Sequence, residues 1–219
     1  VHEFYPQTPI HGYQGFPLNY SNPTLRPSEF ERINFLMPDT VYLISKSTYS
    51  FLKMENKKID YRLTCAFRYR HLLTTENNNT NSIITIAIVL TGYIKEVETL
   101  LSLASYLHSN IGREMKLIIK SNPIIDKDKH IGRYLSNKQD IFVTEEPIND
   151  LLSYVSVVIT SGSSVSVESV TLGIPTIIFG NQRGITNIFL PPDFRNELWT
   201  ISYDYKSVID FIERIKIDN

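Results

Sequence analysis

Apolar and polar positions change their rhythm along the chain. From residue 1 to about 40 neither a period of 2 nor one of 3.6 is sustained. Prolines (Pro6, Pro9, Pro17, Pro23, Pro27, Pro38) alternate there with Phe4, Tyr5, Tyr13, Phe16 and Tyr20. This predicts ordered loop packed on something, with a short helix near Ser28 to Asn34. Thr40 to Ser45 predicts a short buried strand. Ser47 to Glu55 predicts a helix ending in the polar turn Asn56-Lys57-Lys58. Thr74 to Ser82 carries no apolar residue and reads as a linker, or equally as a long surface loop of one domain.

Beyond it the pattern becomes regular. Ile83 to Leu90 is a β-branched apolar run, hence a buried strand, and Ile94, Val97, Leu100, Leu101, Ala104 and Leu107 then recur at helical spacing. Strands are expected at Met115–Ile119, Ile141–Val143, Val155–Thr160, Thr176–Phe179 and Leu198–Ile201. Helices are expected at Asp126–Leu135, Pro147–Tyr154, Ser163–Leu172 (closed by Gly173) and Tyr205–Ile215. Near-continuous apolar strands alternating with helices predict the α/β class: a parallel sheet covered on both faces, doubly wound and Rossmann-like.

Composition narrows the function classes. A hydrophobic fraction of 42% over 219 residues supports a buried core without staples, which excludes a disordered tail or a fibre. With 22 basic and 23 acidic residues the net charge is −1, so nothing favours nucleic acid or a charged membrane surface as partner. Cys65 is the single cysteine, which excludes an internal disulfide and a thiolate zinc cluster and fits a reducing compartment. The longest apolar run is too short to span a bilayer. The chain begins at Val1 in aromatic, proline-rich sequence, which reads as a fragment whose active site is incomplete.

Ligands of open parallel sheets bind at the carboxyl ends of the strands, so the residues following each strand are the candidates. They are Thr91-Gly92-Tyr93, Lys120-Ser121-Asn122-Pro123, Thr144-Glu145-Glu146-Pro147, Ser161-Gly162-Ser163-Ser164 and Gly180-Asn181. In the fourth, a strand enters a small-residue loop and a helix starts at once. Free backbone amides, three hydroxyls and Gly162 suit an anion such as a phosphate. The bland alternative is a serine N-cap with no ligand. No lysine follows to make a nucleotide-triphosphate loop, and no glycine follows to make a hydrolase elbow. Glu168 lies one helical turn on. It suits the hydroxyls of a ribose, or is simply an exposed helix glutamate. Lys120 ends a buried strand and either reaches a phosphate or bends to solvent. His2, His11, His71, His108 and His130 show no metal spacing, and no metal site is expected. Arg68, Tyr69, Arg70 and His71 form a small basic patch beside the linker, or a solvated turn.

The segment from Leu151 to Pro175 runs strand, serine-rich loop, helix with glutamate, then Gly173-Ile174-Pro175 and a further strand. It resembles the C-terminal half of GT-B glycosyltransferases, which holds the nucleotide of an activated sugar donor. The resemblance implies phosphate contacts at Ser161, Gly162, Ser163 and Ser164 and a ribose contact at Glu168. Lys116 to Pro123 resembles the Lys/Arg-x-His-Pro element of bacterial surface-polysaccharide transferases, with Asn122 in the histidine place. His11-Gly12 and Pro38 to Ser45 look like the end of a GT-B N-terminal domain. Leu63 to Leu72 is similar to a Glu-Ala-Leu-Arg-Tyr segment of a β-Kdo (3-deoxy-manno-octulosonate) transferase family, with Cys65 in place of the glutamate.

The resemblance implies three parts: residues 1–73 as the end of an acceptor-side domain, 74–82 as linker, and 83–219 as a nucleotide-sugar-binding domain. It implies no cofactor and a CMP-, CDP- or UDP-linked sugar as substrate, with a glycan or glycolipid as acceptor. The expected setting is the cytoplasm, at the inner face of the membrane, with peripheral association through a full-length protein. Gly92, Lys120, Asn122, Ser161, Gly162, Ser163, Ser164 and Glu168 form the expected donor site, with Lys120 as leaving-group stabiliser. Arg68 and Arg70 are candidates for a sugar carboxylate. Two other classes stay open: a UDP-sugar 2-epimerase of the same fold, with Glu145 and Glu146 as acid/base candidates, and a non-catalytic partner-binding domain.

Overall fold

The computed structural model describes residues 7–19, 28–55, 58–75, 83–112, 115–135, 140–191, 194–195 and 197–218. The chain divides into two compact units, Val1–Arg70 and His71–Asn219. Of the segment 74–82, only Thr74 and Thr75 lie among the described residues, as does Lys58 of the turn at 56–58. The early aromatics Phe4, Tyr5 and Tyr20 lie outside them.

The first unit holds a three-stranded parallel sheet in the order β1 (His11–Gln14), β2 (Thr40–Leu43), β3 (Asp60–Leu63). Helix α1 (Glu29–Ile33) precedes β2, and α2 (Lys46–Glu55) follows it. Ser28 caps α1 in a reciprocal box: its Oγ accepts from Glu31 N at 3.2 Å, and the Glu31 carboxylate accepts from Ser28 N at 2.7 Å. Leu18, Leu43, Leu52, Ile59 and Tyr61 form the small core. Strand β1 corrects the reading of residues 1 to about 40 as loop, and β3 is a strand that the sequence pattern does not predict. His-Gly-Tyr-Gln has no buried residue, and only Tyr61 of Asp-Tyr-Arg-Leu is buried. Backbone pairing to β2 makes them strands, and hydropathy does not register that. The Asp39 carboxylate, accepting from Ile10 N at 2.7 Å, holds the entry to β1.

The second unit is a six-stranded sheet, parallel throughout. Its strands are β4 (Ile84–Val89), β5 (Met115–Lys120), β6 (Ile141–Thr144), β7 (Val157–Thr160), β8 (Thr176–Phe179) and β9 (Trp199–Ser202). They stand in the order β6-β5-β4-β7-β8-β9. Between them run α3 (Ile94–Asn110), α4 (Lys127–Leu135), α5 (Ile148–Leu152) and α6 (Val165–Thr171), and α7 (Tyr205–Asp218) closes the chain. Successive strand residues serve opposite faces. Ile86, Ile88, Leu117, Ile119, Val157 and Ile159 pack with α3 and α7 on one face. Ala87, Val89, Ile118 and Val158 pack with Leu151 and Leu152 of α5 on the other. Both sides of β4, β5, β7 and β8 are therefore largely buried, which is why these strands read as runs rather than alternations. The doubly wound expectation holds for this layer.

Helix α6 ends as its sequence predicts. Gly173 takes φ +80°, its N–H reaches Val170 O at 3.1 Å, and Ile174 N reaches Ser169 O at 2.9 Å. This paired closure turns the chain directly into β8.

Candidate functional site

Strand β4 lies at the centre of the six-stranded sheet, with β5 on one side and β7 on the other. The chain winds from β4 towards β6, then returns to β7 and winds the other way. The strand order thus reverses between β4 and β7, and a crevice opens at their carboxyl ends. The Thr160 hydroxyl ties the two strands together there, donating to Val89 O at 3.1 Å in a buried position. Thr91-Gly92-Tyr93 follows β4 and Ser161-Gly162-Ser163-Ser164 follows β7, so both loops border the crevice.

Each serine of the second loop has a different environment. Ser161 is only 7% exposed, and its hydroxyl has no hydrogen-bond partner among the described residues. Ser163 Oγ accepts from Val165 N at 3.3 Å, and its carbonyl accepts from the Ser166 hydroxyl at 2.7 Å. Ser164 occupies the N-cap position of α6 without capping it through its side chain. The N-cap alternative therefore applies to Ser163 and not to Ser164. Gly162 takes φ +53°, and a Cβ there would stand 2.8 Å from Asn187 Cβ. Its conformation and its packing on Asn187 both demand glycine at this position. Gly92 is the open glycine: a Cβ there would meet only Ile124 Cδ1, at 3.9 Å.

Glu168 is 5% exposed, so it is not the exposed helix glutamate of the bland alternative. Its Oε2 lies 3.8 Å from His71 Nε2. Burial of a carboxylate on a small-residue helix behind the serine loop is costly without partners, and an imidazole within ion-pair range offsets part of that cost.

Other predicted residues sit elsewhere on the carboxyl edge. Lys120 Nζ donates to Ser121 O at 3.0 Å and reaches Glu145 O at 3.5 Å, bridging the ends of β5 and β6. Asn122 Oδ1 accepts from Ile124 N at 3.1 Å within its own turn. Glu146 Oε1 accepts from the Tyr154 hydroxyl, and Thr144 Oγ1 also donates to it at 3.3 Å. Burial, then this acceptor, push the Tyr154 phenol well above its ordinary range. Strand β6 is the sheet's edge, two strands from the crevice, so the structure does not bring Glu145 and Glu146 to the serine loop. Arg68 and Arg70 belong to the first unit, where the Arg68 guanidinium lies 4.4 Å over the Phe16 ring. Among the described residues, no three His, Cys, Asp or Glu side chains cluster as a metal-ligand set. No described helix is long and apolar enough to cross a membrane.

The structure adds a pocket of about 740 Å³ on the β7–β9 side of the crevice. Lys95 and Glu96 from the first turn of α3, Ser161, Gln182, Arg183 and Tyr203 line it. The Thr91 hydroxyl donates to Glu96 Oε2 at 2.7 Å. Burial nonetheless raises the Glu96 carboxyl above its usual range, with the Thr91 bond opposing the shift. Sequence reasoning missed Lys95, Glu96 and Arg183. The rule of strand ends would have found them if carried into the first turn of α3 after β4 and four residues past β8.

No family model matches the chain, and no curated protein matches it in sequence. Solved structures do match. S. aureus MnaA, solved with UDP, superposes with TM-score 0.70 at 14% identity over 97% of this chain and 63% of its own. The UDP-GlcNAc 2-epimerase of Methanocaldococcus jannaschii gives 0.56 at 10% identity over 95% of this chain and 64% of its own. The UDP-forming α,α-trehalose-phosphate synthase of Burkholderia vietnamiensis gives 0.53 at 10% identity over 98% and 60%. At these identities the likeness shows the fold, the Rossmann-like α/β architecture shared by GT-B glycosyltransferases and UDP-GlcNAc 2-epimerases. The chain spans somewhat over half the length of each of these structures.

Proposed function

We propose that the second unit holds the nucleotide portion of a sugar donor and that the protein transfers the sugar to a glycan or glycolipid acceptor. The observation that carries the reading is the convergence of the strand-order reversal with the loop Ser161–Ser164 and the buried Glu168. Backbone amides and hydroxyls of this kind, after a strand and before a helix, suit a phosphate. As the bond from sugar to phosphate breaks, negative charge grows on the departing phosphate. Donors fixed beforehand stabilise that charge more than they stabilise the bound substrate. Lys120 is held by the carbonyls of the β5–β6 edge, so this reading rests the leaving-group role on the loop. Glu168 is suited to accept from the ribose hydroxyls. The neighbour solved with UDP supports a nucleotide at this type of sheet. Surface-polysaccharide synthesis, with CMP-Kdo among the candidate donors, rests on the resemblance at Lys116–Pro123 and Leu63–Leu72.

Titration calorimetry with CMP, CDP, UDP and GDP tests the reading. Selective binding of one nucleotide is expected, weakened about tenfold or more in Ser163→Ala/Ser164→Ala, with the fold verified by circular dichroism. Absence of binding at millimolar nucleotide, or binding indifferent to the serines, would overturn it. Ser161→Ala, which removes no internal bond, is the parallel variant if the double substitution disturbs α6.

A second reading, epimerisation at C2 of a UDP-sugar, has one observation in its favour. Glu96 is a half-buried carboxyl of raised pKa lining the pocket beside Ser161, a setting suited to moving a proton. Product analysis with UDP-GlcNAc separates the two: formation of UDP-ManNAc supports epimerisation, whereas substrate that stays unchanged until an acceptor is added and then releases UDP supports transfer.

A further inference from the structure

We propose that the pocket beside Ser161 is the sugar subsite and that it selects a sugar bearing an anionic group, a carboxylate or a phosphate, through Lys95 and Arg183. This rests on the nucleotide reading above and goes beyond it by naming the class of sugar. Ser161 belongs both to the serine loop and to the pocket wall. A phosphate seated on the loop therefore projects its glycosyl group into the pocket. At about 740 Å³ the space holds a hexose or a larger acidic sugar.

The charge pattern of the wall carries the selectivity. Lys95 and Arg183 line the pocket, and neither has an ion-pair partner among the described residues. The two acids of the wall are already engaged. Glu96 accepts from the Thr91 hydroxyl, and Asp204 accepts from Ser207 N at 2.9 Å as the cap of α7. Ser161 supplies a separate sign of a ligand: the residue is 7% exposed and borders the pocket, and its hydroxyl has no partner among the described residues. Arg183 is held in place by its loop. Its N–H donates to Asn181 Oδ1 at 2.9 Å, Asn181 N donates to the Thr186 hydroxyl at 3.0 Å, and Gln182 Nε2 donates to Tyr203 O. Guanidinium and ammonium together fit a carboxylate or a phosphate better than a hydroxyl. Neutral hexoses leave both cations without a counterpart.

The test compares sugar nucleotides that differ in a single carboxylate: UDP-glucose with UDP-glucuronate, GDP-mannose with GDP-mannuronate, and the methyl ester of CMP-N-acetylneuraminate with the free acid. In the unmodified chain, for the base it accepts, the acidic member is expected to bind about tenfold more tightly. In Lys95→Met/Arg183→Gln that ratio is expected to fall close to one, with the neutral member changed less than about threefold. The single variants, each at an exposed side chain, guard against a folding defect. Equal affinity for both members, or a preference that survives the double variant, overturns the sugar assignment while leaving the nucleotide reading intact. Binding of none of these compounds, nor of free nucleotide, overturns the nucleotide reading and the sugar assignment with it.

Discussion

The two ends of the six-stranded sheet's carboxyl edge carry similar side chains and use them in opposite ways. At the β5–β6 end, Lys120, Ser121, Asn122, Thr144, Glu146 and Tyr154 satisfy one another or the backbone. At the β7–β9 end, Ser161 has no hydrogen-bond partner and Lys95 and Arg183 no ion-pair partner among the described residues, and all three border an open pocket. The difference follows from position. Strand β6 is an edge, and the carbonyls that finish an edge have no further strand beside them, so nearby donors close over them. Around β7, the loop is built of serine and glycine, too small to reach across the crevice. A lysine at a strand end is thus not a ligand residue by its type. Its availability depends on which strand it ends.

The largest effect should come from the β7 end. Gly162→Ala forces a side chain to φ +53° and against Asn187. A loss of about 2 kcal/mol in urea unfolding is expected, together with a misplaced serine loop and weaker nucleotide binding. A neutral outcome would mean that the loop is not held as described, and the contrast between the two ends would lose its rigid side.

Next comes the closed end. Glu146→Ala removes the acceptor of Tyr154 and is expected to cost about 1–2 kcal/mol without altering nucleotide affinity. A change in nucleotide affinity would break the comparison. Tyr154 also sets a pH signature. Burial and Glu146 raise the folded phenol's pKa above that of the unfolded chain. The stability it contributes is therefore present below the ordinary phenol pKa of about 10 and lost as pH rises through and beyond it. Tyr154→Phe should accordingly flatten the stability profile between about pH 9 and 11 relative to the unmodified chain.

Legibility from sequence divides along the same physical line. Elements that bury two faces announced themselves: β4, β5, β7 and β8 stand where their apolar runs do, and α6 closes at Gly173. Strands β1 and β3 did not, because one has no buried residue and the other a single one, and their pairing is a backbone matter. For the site, the strand-end rule reached the serine loop and Glu168, since both are local to one strand–loop–helix passage. It did not reach Lys95 with Arg183, which are 88 residues apart in numbering and come to line one pocket only through the strand order. Nor did it foresee that Asn122 and Lys120 would be taken up by their own edge, because hydrogen-bond partners across β5 and β6 are tertiary facts.

The smallest effect belongs to Lys120, and it sharpens the comparison most. A strand-end lysine looks like a phosphate ligand when the strand is read alone. With its ammonium on Ser121 O and near Glu145 O, one strand further from the crevice than the serine loop, its removal should leave nucleotide affinity within about twofold while lowering stability by about 0.5–1.5 kcal/mol. Lys120→Met keeps the stem that packs along the sheet and deletes only the charge. Should that variant instead lose tenfold in nucleotide affinity at unchanged stability, the ammonium must leave its carbonyls when the ligand binds. The closed end of the edge would then be an unloaded part of the site, and the contrast between the two ends would describe the empty protein only.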